Sequence, residues 1–335
     1  MTEPLVSILM LTYNHAPFIA QAIEGVLQQQ TNFPFQLIIG EDCSTDGTRE
    51  IVFEYQEEHS DIIRVVTSDR NVGVTENLCR TGKACRGKYV AFCEGDDYWH
   101  HPHKLQKQMD YMESHPGCGM VYSSYDVYHV RSQKRIKDFI KYRKWKMPKN
   151  PSIHNFLEGS DAIGYGILTC TVMVRRDYSQ QVVERDPYLH QTRKFLMGDV
   201  QLWAEIATIA QLHYIPESLA THNILDESAT RSKDARKRWR FGISNAELML
   251  YLCDKYNAPS SIKKKREADW CYCALRLAFH SRSAELADEV RRKKGTLTGR
   301  EWLLYFGARY AAFYYVCRVA VLGRNLFRKE PDAWL

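Results

Sequence analysis

The absences in this sequence narrow its class before any motif does. Nowhere in its 335 residues is there a run of 18 or more uncharged apolar residues, the minimum for a helix that crosses a bilayer. None of the ten cysteines forms a CxxC pair, which removes the common zinc and dithiol frameworks. Several of these cysteines lie inside apolar runs, where a thiol behaves as a small hydrophobe. A strand pattern begins almost at once with no leader-like segment before it, so the expected setting is a reducing cytoplasm. There is also no strong excess of one charge: 46 Lys and Arg against 40 Asp and Glu leave a formal +6.

What is present is unevenly distributed. The acids gather in the first hundred residues, and the stretches Arg131–Lys149, Arg231–Arg240 and Lys263–Arg266 are basic. Such asymmetry suits an anionic partner (a phosphorylated acceptor, anionic lipid or nucleic acid), or else solvated helix faces. With 44% hydrophobic residues the chain is long enough for one large domain or two.

Apolar runs at Leu5–Leu11, Phe35–Ile39, Ile62–Val66 and Tyr89–Cys93 predict strands, and Ala16–Gln30, Thr48–Glu58 and Thr75–Cys85 predict helices between them. Strands alternating with helices imply right-handed crossovers and a parallel, doubly wound sheet. Loops after the strands carry Thr12-Tyr13-Asn14, Glu41-Asp42 and Glu94 to Asp97, so all three fall on one sheet edge, where open α/β sheets bind ligands. Further on, a helix is expected at Pro102–Glu113, strands at Gly119–Ser123, Ile167–Val174 and Leu212–Ile215, the last stopped by Pro216, and a helix at Val200–Ala210. Arg131–Pro151 reads as a loop or lid. Beyond about Ser232 only helical patterns remain, which divides the chain into 1–230 and 231–335.

The densest signal is KYVAFCEGDDY at Lys88–Tyr98, where a buried-strand pattern ends in Glu94, Asp96 and Asp97. Carboxylates crowded at a strand exit repel one another and commonly hold Mg²⁺ or Mn²⁺ against phosphates; the alternative is an acidic turn capping the next helix. The cluster His100, His101 and His103 suggests zinc, with helix-start solvation as the plainer reading.

VSILMLTYNH, IIGEDCSTDGT, GKYVAFCEGDDYW and GDVQLW at Gly198–Trp203 together resemble family-2 glycosyltransferases of the GT-A fold, across roughly the first 225 residues. The resemblance implies a Rossmann-like, mostly parallel sheet with flanking helices and a C-terminal helical region. It also implies inverting transfer of a sugar from a nucleotide-diphosphate donor of the UDP-sugar class, with Mn²⁺ or Mg²⁺. By that resemblance Asp97 and Asp96 hold the metal, Asp96 also meets the ribose, and Asp42 accepts from a base N–H such as uracil N3. Thr12, Tyr13, Asn14 and Asn77 also line the nucleotide site, and Asp199 is the general base. Ser44 and Asp46 are expected to cap the following helix instead.

Two departures are visible. Where relatives carry a histidine that completes the metal shell, this chain has Leu225, so His222 is the candidate from a shifted position. The Gln-x-x-Arg-Trp signature of processive synthases is broken: Ala235 precedes Arg238-Trp239. The implied acceptor is a glycan or lipid-linked oligosaccharide of a cell-surface polysaccharide, and nucleic acid is not among the expected partners. Trp302–Gly323, aromatic and interrupted by Arg309 and Arg318, is expected to lie on an anionic membrane face or to pack in a small core or homodimer contact. The competing functions are a nucleotidyltransferase, disfavoured because no Gly-rich basic loop follows the first strand, and a non-catalytic nucleotide-sugar-binding protein.

Overall fold

The computed structural model describes residues 3–159, 163, 166–192, 194–226 and 232–315. Two compact units emerge: Met1–Arg193 with Gly198–Leu225, and Lys194–Met197 with Asp226–Leu335.

The first unit begins with β1 (Val6–Thr12), α1 (Ile19–Leu27), β2 (Phe35–Glu41), α2 (Thr48–Glu58), β3 (Ile63–Val66), α3 (Val74–Ala84) and β4 (Tyr89–Phe92). β1 lies between β2 and β4, both parallel to it, and β3 extends the parallel ladder beyond β2. The apolar runs are unbroken because helices cover both sheet faces. Val6, Ile8 and Met10 of β1 and Ile19, Ile23 and Val26 of α1 are fully buried in one cluster. At Gly40 a Cβ would come within 2.1 Å of Thr81 Oγ1 and 2.8 Å of Asn77 Oδ1, so the missing side chain lets α3 rest directly on β2. Parallel strands all point their carboxyl ends the same way, which collects the three polar loops on one edge.

The rest of this unit comprises β5 (Tyr98–Trp99), α4 (Lys104–Ser114), β6 (Cys118–His129), β7 (Lys134–Ile136), α5 (Phe139–Tyr142), α6 (Ile153–Glu158), β8 (Met173–Arg175), α7 (Arg176–Arg185), α8 (Pro187–Gln191), α9 (Asp199–Ile206) and β9 (Gln211–Ile224). The strand order is β3-β2-β1-β4-β8-β6-β9-β5, with β7 hydrogen-bonded to β6. β8 is antiparallel to both β4 and β6, β9 is parallel to β6, and β5 is antiparallel to β9. Most paired residues of this α/β sheet run parallel.

Several expectations need correction. β9 does not end at Pro216. Ile215 pairs with Ser123 and Ser218 with Ser124, so Pro216 and Glu217 bulge out and pairing continues to Ile224 opposite His129. A bulge is where a sheet tolerates a residue with no N–H to donate. Most of Ile167–Val174 is not strand: Thr169–Thr171 forms a 3₁₀ turn, in which the Thr171 hydroxyl donates to Leu168 O at 2.7 Å, the local bonding that draws threonine out of strands. Arg131–Pro151 is not a bare loop either. It holds β7 and α5, and buries Ile136, Phe139 and Ile140, with Phe139 stacked on Tyr125 at 5.6 Å.

The second unit contains α10 (Ala235–Lys255), α11 (Ser260–Ser281), α12 (Ala284–Lys294) and α13 (Gly299–Arg309). Its core includes Trp270, Leu275, Phe279, Val290, Leu304 and Tyr305. The first part of the aromatic segment is therefore packed inward, whereas Leu303, Tyr310, Phe313 and Tyr315 are exposed. Arg309 is paired with Asp288. Arg318 and the rest of that segment lie outside the described residues. Among the described residues, no helix is long and apolar enough to cross a membrane.

Candidate active site

The acid loop leaves β4 through a tight passage. A Cβ on Gly95 would stand 2.7 Å from Thr12 Oγ1 and 2.9 Å from Ile19 Cδ1, so only glycine lets the loop lie against the end of β1. Gly95 N donates to Leu11 O at 2.9 Å and Asp97 N to Glu94 O at 3.1 Å, which fixes the turn.

Asp97 is 5% exposed and sits at the junction of two chain segments. His222 Nδ1 lies 2.9 Å from its Oδ1 and 3.0 Å from Oδ2, and Asn223 N donates to Oδ1 at 2.9 Å. Asn223 Nδ2 donates to Asp96 O at 2.6 Å. These contacts exist because β9 continues past Pro216. Around the clasp, negative charge accumulates. Burial, with Asp97, Asp96 and Asp199 nearby, pushes the Glu94 carboxyl up to about 8, and its Oε2 is buried without a hydrogen-bond partner among the described residues. Asp96 is raised as well, by burial and by Asp97, against the opposing pull of His15 and His222. Burial alone would depress His222, but Asp97, Asp96 and Glu94 carry it up to about 9.

Glu94, Asp97 and Cys170 present ligand atoms within 4.8 Å of one another. Cys170 is fully buried in the 3₁₀ turn, and Trp99 Nε1 donates to its carbonyl at 2.8 Å. Oxygen donors beside an imidazole, in a pocket whose acids outnumber its cations, fit a hard or borderline divalent cation.

Asp199 opens α9. Trp203 of this helix packs edge-on against Phe92 of β4 at 5.4 Å, which carries the helix start to the acid loop. One Asp199 oxygen takes Val200 N at 2.8 Å and the other the Thr169 hydroxyl at 3.3 Å. The residue thus has the helix-start role open to any aspartate there, yet stands close enough to Glu94 to affect its protonation.

The loops of β1 and β2 lock together. Asn14 N donates to Ser44 Oγ at 3.0 Å, Thr45 N to Asn14 Oδ1 at 2.9 Å, and Ala16 N to Asp46 Oδ2 at 3.0 Å. Asp46 also accepts from Thr48 N at 3.1 Å, so it ties down the first helical residue from outside the helix, whose N-cap position is Gly47, and Ser44 is a tie between loops. Tyr13 is 45% exposed at the rim. Thr12 is 2% exposed, and its hydroxyl has no partner among the described residues.

Asp42 is 3% exposed. Its two oxygens accept Val72 N at 2.8 Å and Gly73 N at 2.9 Å, with Arg80 Nη2 at 3.5 Å. Asn77, expected at the nucleotide, is buried: its amide donates to Gly40 O at 2.7 Å and its oxygen receives Arg80 Nε at 2.9 Å. It holds Arg80 and β2 in place.

The three histidines after Trp99 do not converge on one point. His100 faces Thr221 Oγ1 and Ser218 O, His101 pairs with Glu217 at 3.1 Å, and His103 is at the helix start. Sequence reasoning missed Asn223, Cys170 and His15, whose Nε2 lies 3.9 Å from Asp96 Oδ2. Asn223 had a signal in its adjacency to His222; a cysteine in Thr-Cys-Thr and a histidine after Asn14 had none.

Comparison with known proteins identifies the family and the fold. The model of "Glycosyl transferase family 2" matches residues 7–181. An uncharacterized protein of Mycobacterium tuberculosis H37Rv is 30% identical over 240 residues, covering 70% of this chain and 63% of the relative, so the chain spans less than two thirds of that relative's length. The putative teichuronic acid biosynthesis glycosyltransferase TuaG of Bacillus subtilis is 28% identical over 271 residues, 78% of this chain and 98% of TuaG. In fold, the chain resembles S. aureus TarS 1-349 in complex with UDP-GlcNAc (TM-score 0.57, 14% identity, 95% and 92% of the two chains). It also resembles the Pyrobaculum calidifontis mannosyltransferase PcManGT in complex with GDP-Man and Mn²⁺ (TM-score 0.52, 18% identity, 98% and 89%). With the family model covering more than half its length and the acid loop, strand order and α9 start arranged as described, this chain belongs to glycosyl transferase family 2.

Proposed function

We propose that the chain transfers a sugar, with inversion, from a UDP-sugar to a hydroxyl of a glycan or lipid-linked acceptor in cell-surface polysaccharide synthesis. The observation that carries this reading is the Asp97–His222–Asn223 clasp beside Asp199: one anionic pocket combining a candidate metal site with a candidate base. TuaG's printed role in teichuronic acid biosynthesis and the UDP-GlcNAc in the TarS complex support the surface-glycan and UDP assignments.

Asp97, Asp96 and His222 would hold Mn²⁺ or Mg²⁺, which when bound supplies Lewis-acid neutralisation of the departing diphosphate. Asn223 orients Asp97 through its backbone N–H, and Glu94, kept largely protonated by burial and its acid neighbours, would release its proton as a cation bound. Thr12, Tyr13 and Asn14 line the nucleotide side, where the Thr12 hydroxyl has an unused hydrogen-bonding capacity. Asp42 supports the 72–73 turn and retains lone pairs for a base N–H, while Asn77 acts through Arg80. Asp199 accepts the proton of the acceptor hydroxyl as that oxygen bonds to the anomeric carbon and the nucleoside diphosphate leaves from the opposite face.

Thermal-shift screening of UDP-, GDP- and dTDP-sugars with Mn²⁺ tests the donor, since a ligand that binds only the folded state raises the melting temperature. The expected result is a shift with a UDP-sugar and, with an accepted glycan, a product of inverted anomeric configuration. A product of retained configuration, or release of pyrophosphate instead of a nucleoside diphosphate, would overturn the assignment.

A further inference from the structure

The segment 131–149 contains nine Lys and Arg residues and one acid, Asp138. The carboxylate of Asp138 is used within the fold: it accepts the Ser124 hydroxyl at 2.5 Å and Lys141 N at 3.4 Å. Arg135 pairs with Asp126 at 2.8 Å. Lys134, Lys137, Lys141, Lys144, Lys146 and Lys149 are exposed, and among the described residues no acid pairs with them.

The strap is not loosely attached. Phe139 stacks on Tyr125 of β6, and Tyr142 and Trp145 gather around Phe139 at 6.1 and 5.7 Å. Tyr142 is nevertheless 61% exposed. β7 pairs with β6 at Val127↔Ile136, and Val127 is opposite His222 in β9. The strap is therefore anchored to β6, the neighbour of the strand that carries His222 and Asn223.

We propose that this strap docks the enzyme onto an anionic lipid bilayer. A pocket for a single phosphate would converge a few donors on one point. These cations are instead spread along an exposed segment with a protruding tyrosine, an arrangement complementary to an extended anionic plane into which amphipathic side chains can insert their tips. The docking goes beyond the transfer reaction and does not depend on it.

Sedimentation of the full chain with phosphatidylcholine vesicles, with and without phosphatidylglycerol, tests the proposal. Binding is expected only with phosphatidylglycerol and should weaken as salt rises. Combined Lys134→Glu, Lys137→Glu, Lys141→Glu and Lys144→Glu should lower it at least about tenfold, with arginine at the same four positions retaining it. Unchanged thermal unfolding of the glutamate variant shows that the loss is not misfolding. Equal binding to neutral vesicles, full binding by the glutamate variant, or displacement by inorganic phosphate as expected of a discrete anion pocket would each overturn the proposal. So would loss of binding confined to Leu303→Ser with Phe313→Ser, which would transfer the contact to the helical unit. Transfer from a UDP-sugar to a soluble acceptor is measured separately, so failure of the reaction leaves the docking result standing, and the reverse.

Discussion

His222 Nδ1 contacts both carboxylate oxygens of Asp97, at 2.9 and 3.0 Å, although 125 residues separate the two in the chain. Facing both oxygens, Nδ1 carries the proton and donates it. A third of the His222 side chain remains exposed, beside the 6% exposed side chain of Asp97.

Asp97→Asn should keep the fold, because Asn223 N still finds an oxygen acceptor. Donor turnover should fall by at least about 100-fold as the leaving diphosphate loses its charge compensation. Steady-state assay with Mn²⁺ alongside thermal unfolding checks both halves. Full wild-type activity in excess EDTA would end the metal reading.

Asp199→Asn separates the base from the donor site. Asparagine still accepts Val200 N and starts the helix, so stability should change little. Donor affinity should stay within a few-fold, while transfer drops by roughly 10² to 10⁴. Loss of nucleotide binding by this variant, with binding intact in Asp97→Asn, would reverse the two roles. Wild-type transfer would move the base elsewhere. Glu205, one alternative, is fully buried and bonded to Arg185, and Asp161, another, lies outside the described residues.

Asp42 should show two effects when changed to asparagine. One amide group would face Val72 N or Gly73 N, donor against donor, costing about 1–3 kcal/mol in denaturant unfolding. Preference for UDP over ADP and CDP, which lack the N3–H donor, should shrink in titrations with Mn²⁺. Equal wild-type affinities for the three nucleotides would remove Asp42 from base recognition.

Lys104 gives a pH signature in stability rather than in activity. It is fully buried, its Nζ 2.7 Å from Gln108 Oε1 and 4.1 Å from the Trp99 ring centroid, and burial pushes its pKa from 10.5 down to about 7. A base depressed on folding binds fewer protons in the native state, so its effect on stability becomes more favourable as pH rises between the folded and unfolded values. Between about pH 7 and 10.5 the wild type should gain up to about 1.4 kcal/mol per pH unit relative to Lys104→Met. Below pH 7 the difference should be flat. Parallel curves across the whole range would mean that Lys104 keeps its proton throughout.

Much of the first half was legible in the sequence because its signals are local. β1 to β4 alternate with α1 to α3 as the apolar periods predict, Thr48–Glu58 to the residue, and a parallel ladder needs no more than that alternation to bring three strand-end loops to one edge. The acids Glu94, Asp96 and Asp97 were visible because a strand pattern stops at them. Past Asp97 the local signals mislead: Pro216 reads as a stop, the threonines around Cys170 as a strand, and Arg131–Pro151 as unpacked.

The sequence alone determined the α/β order, the family motifs and the identity of the acids, since periodicity and short motifs need only neighbouring residues. It offered His222 as a candidate partner of the metal acids, but not the packing that brings that segment to Asp97. That depended on a bulge absorbing Pro216 and Glu217 so that β9 keeps its pairing with β6 and delivers His222 and Asn223. It also could not show that Asn77 is buried beneath Gly40, or that Cys170 lies under the acid loop. Those placements depend on long-range packing, which local pattern does not encode and only the tertiary structure decided.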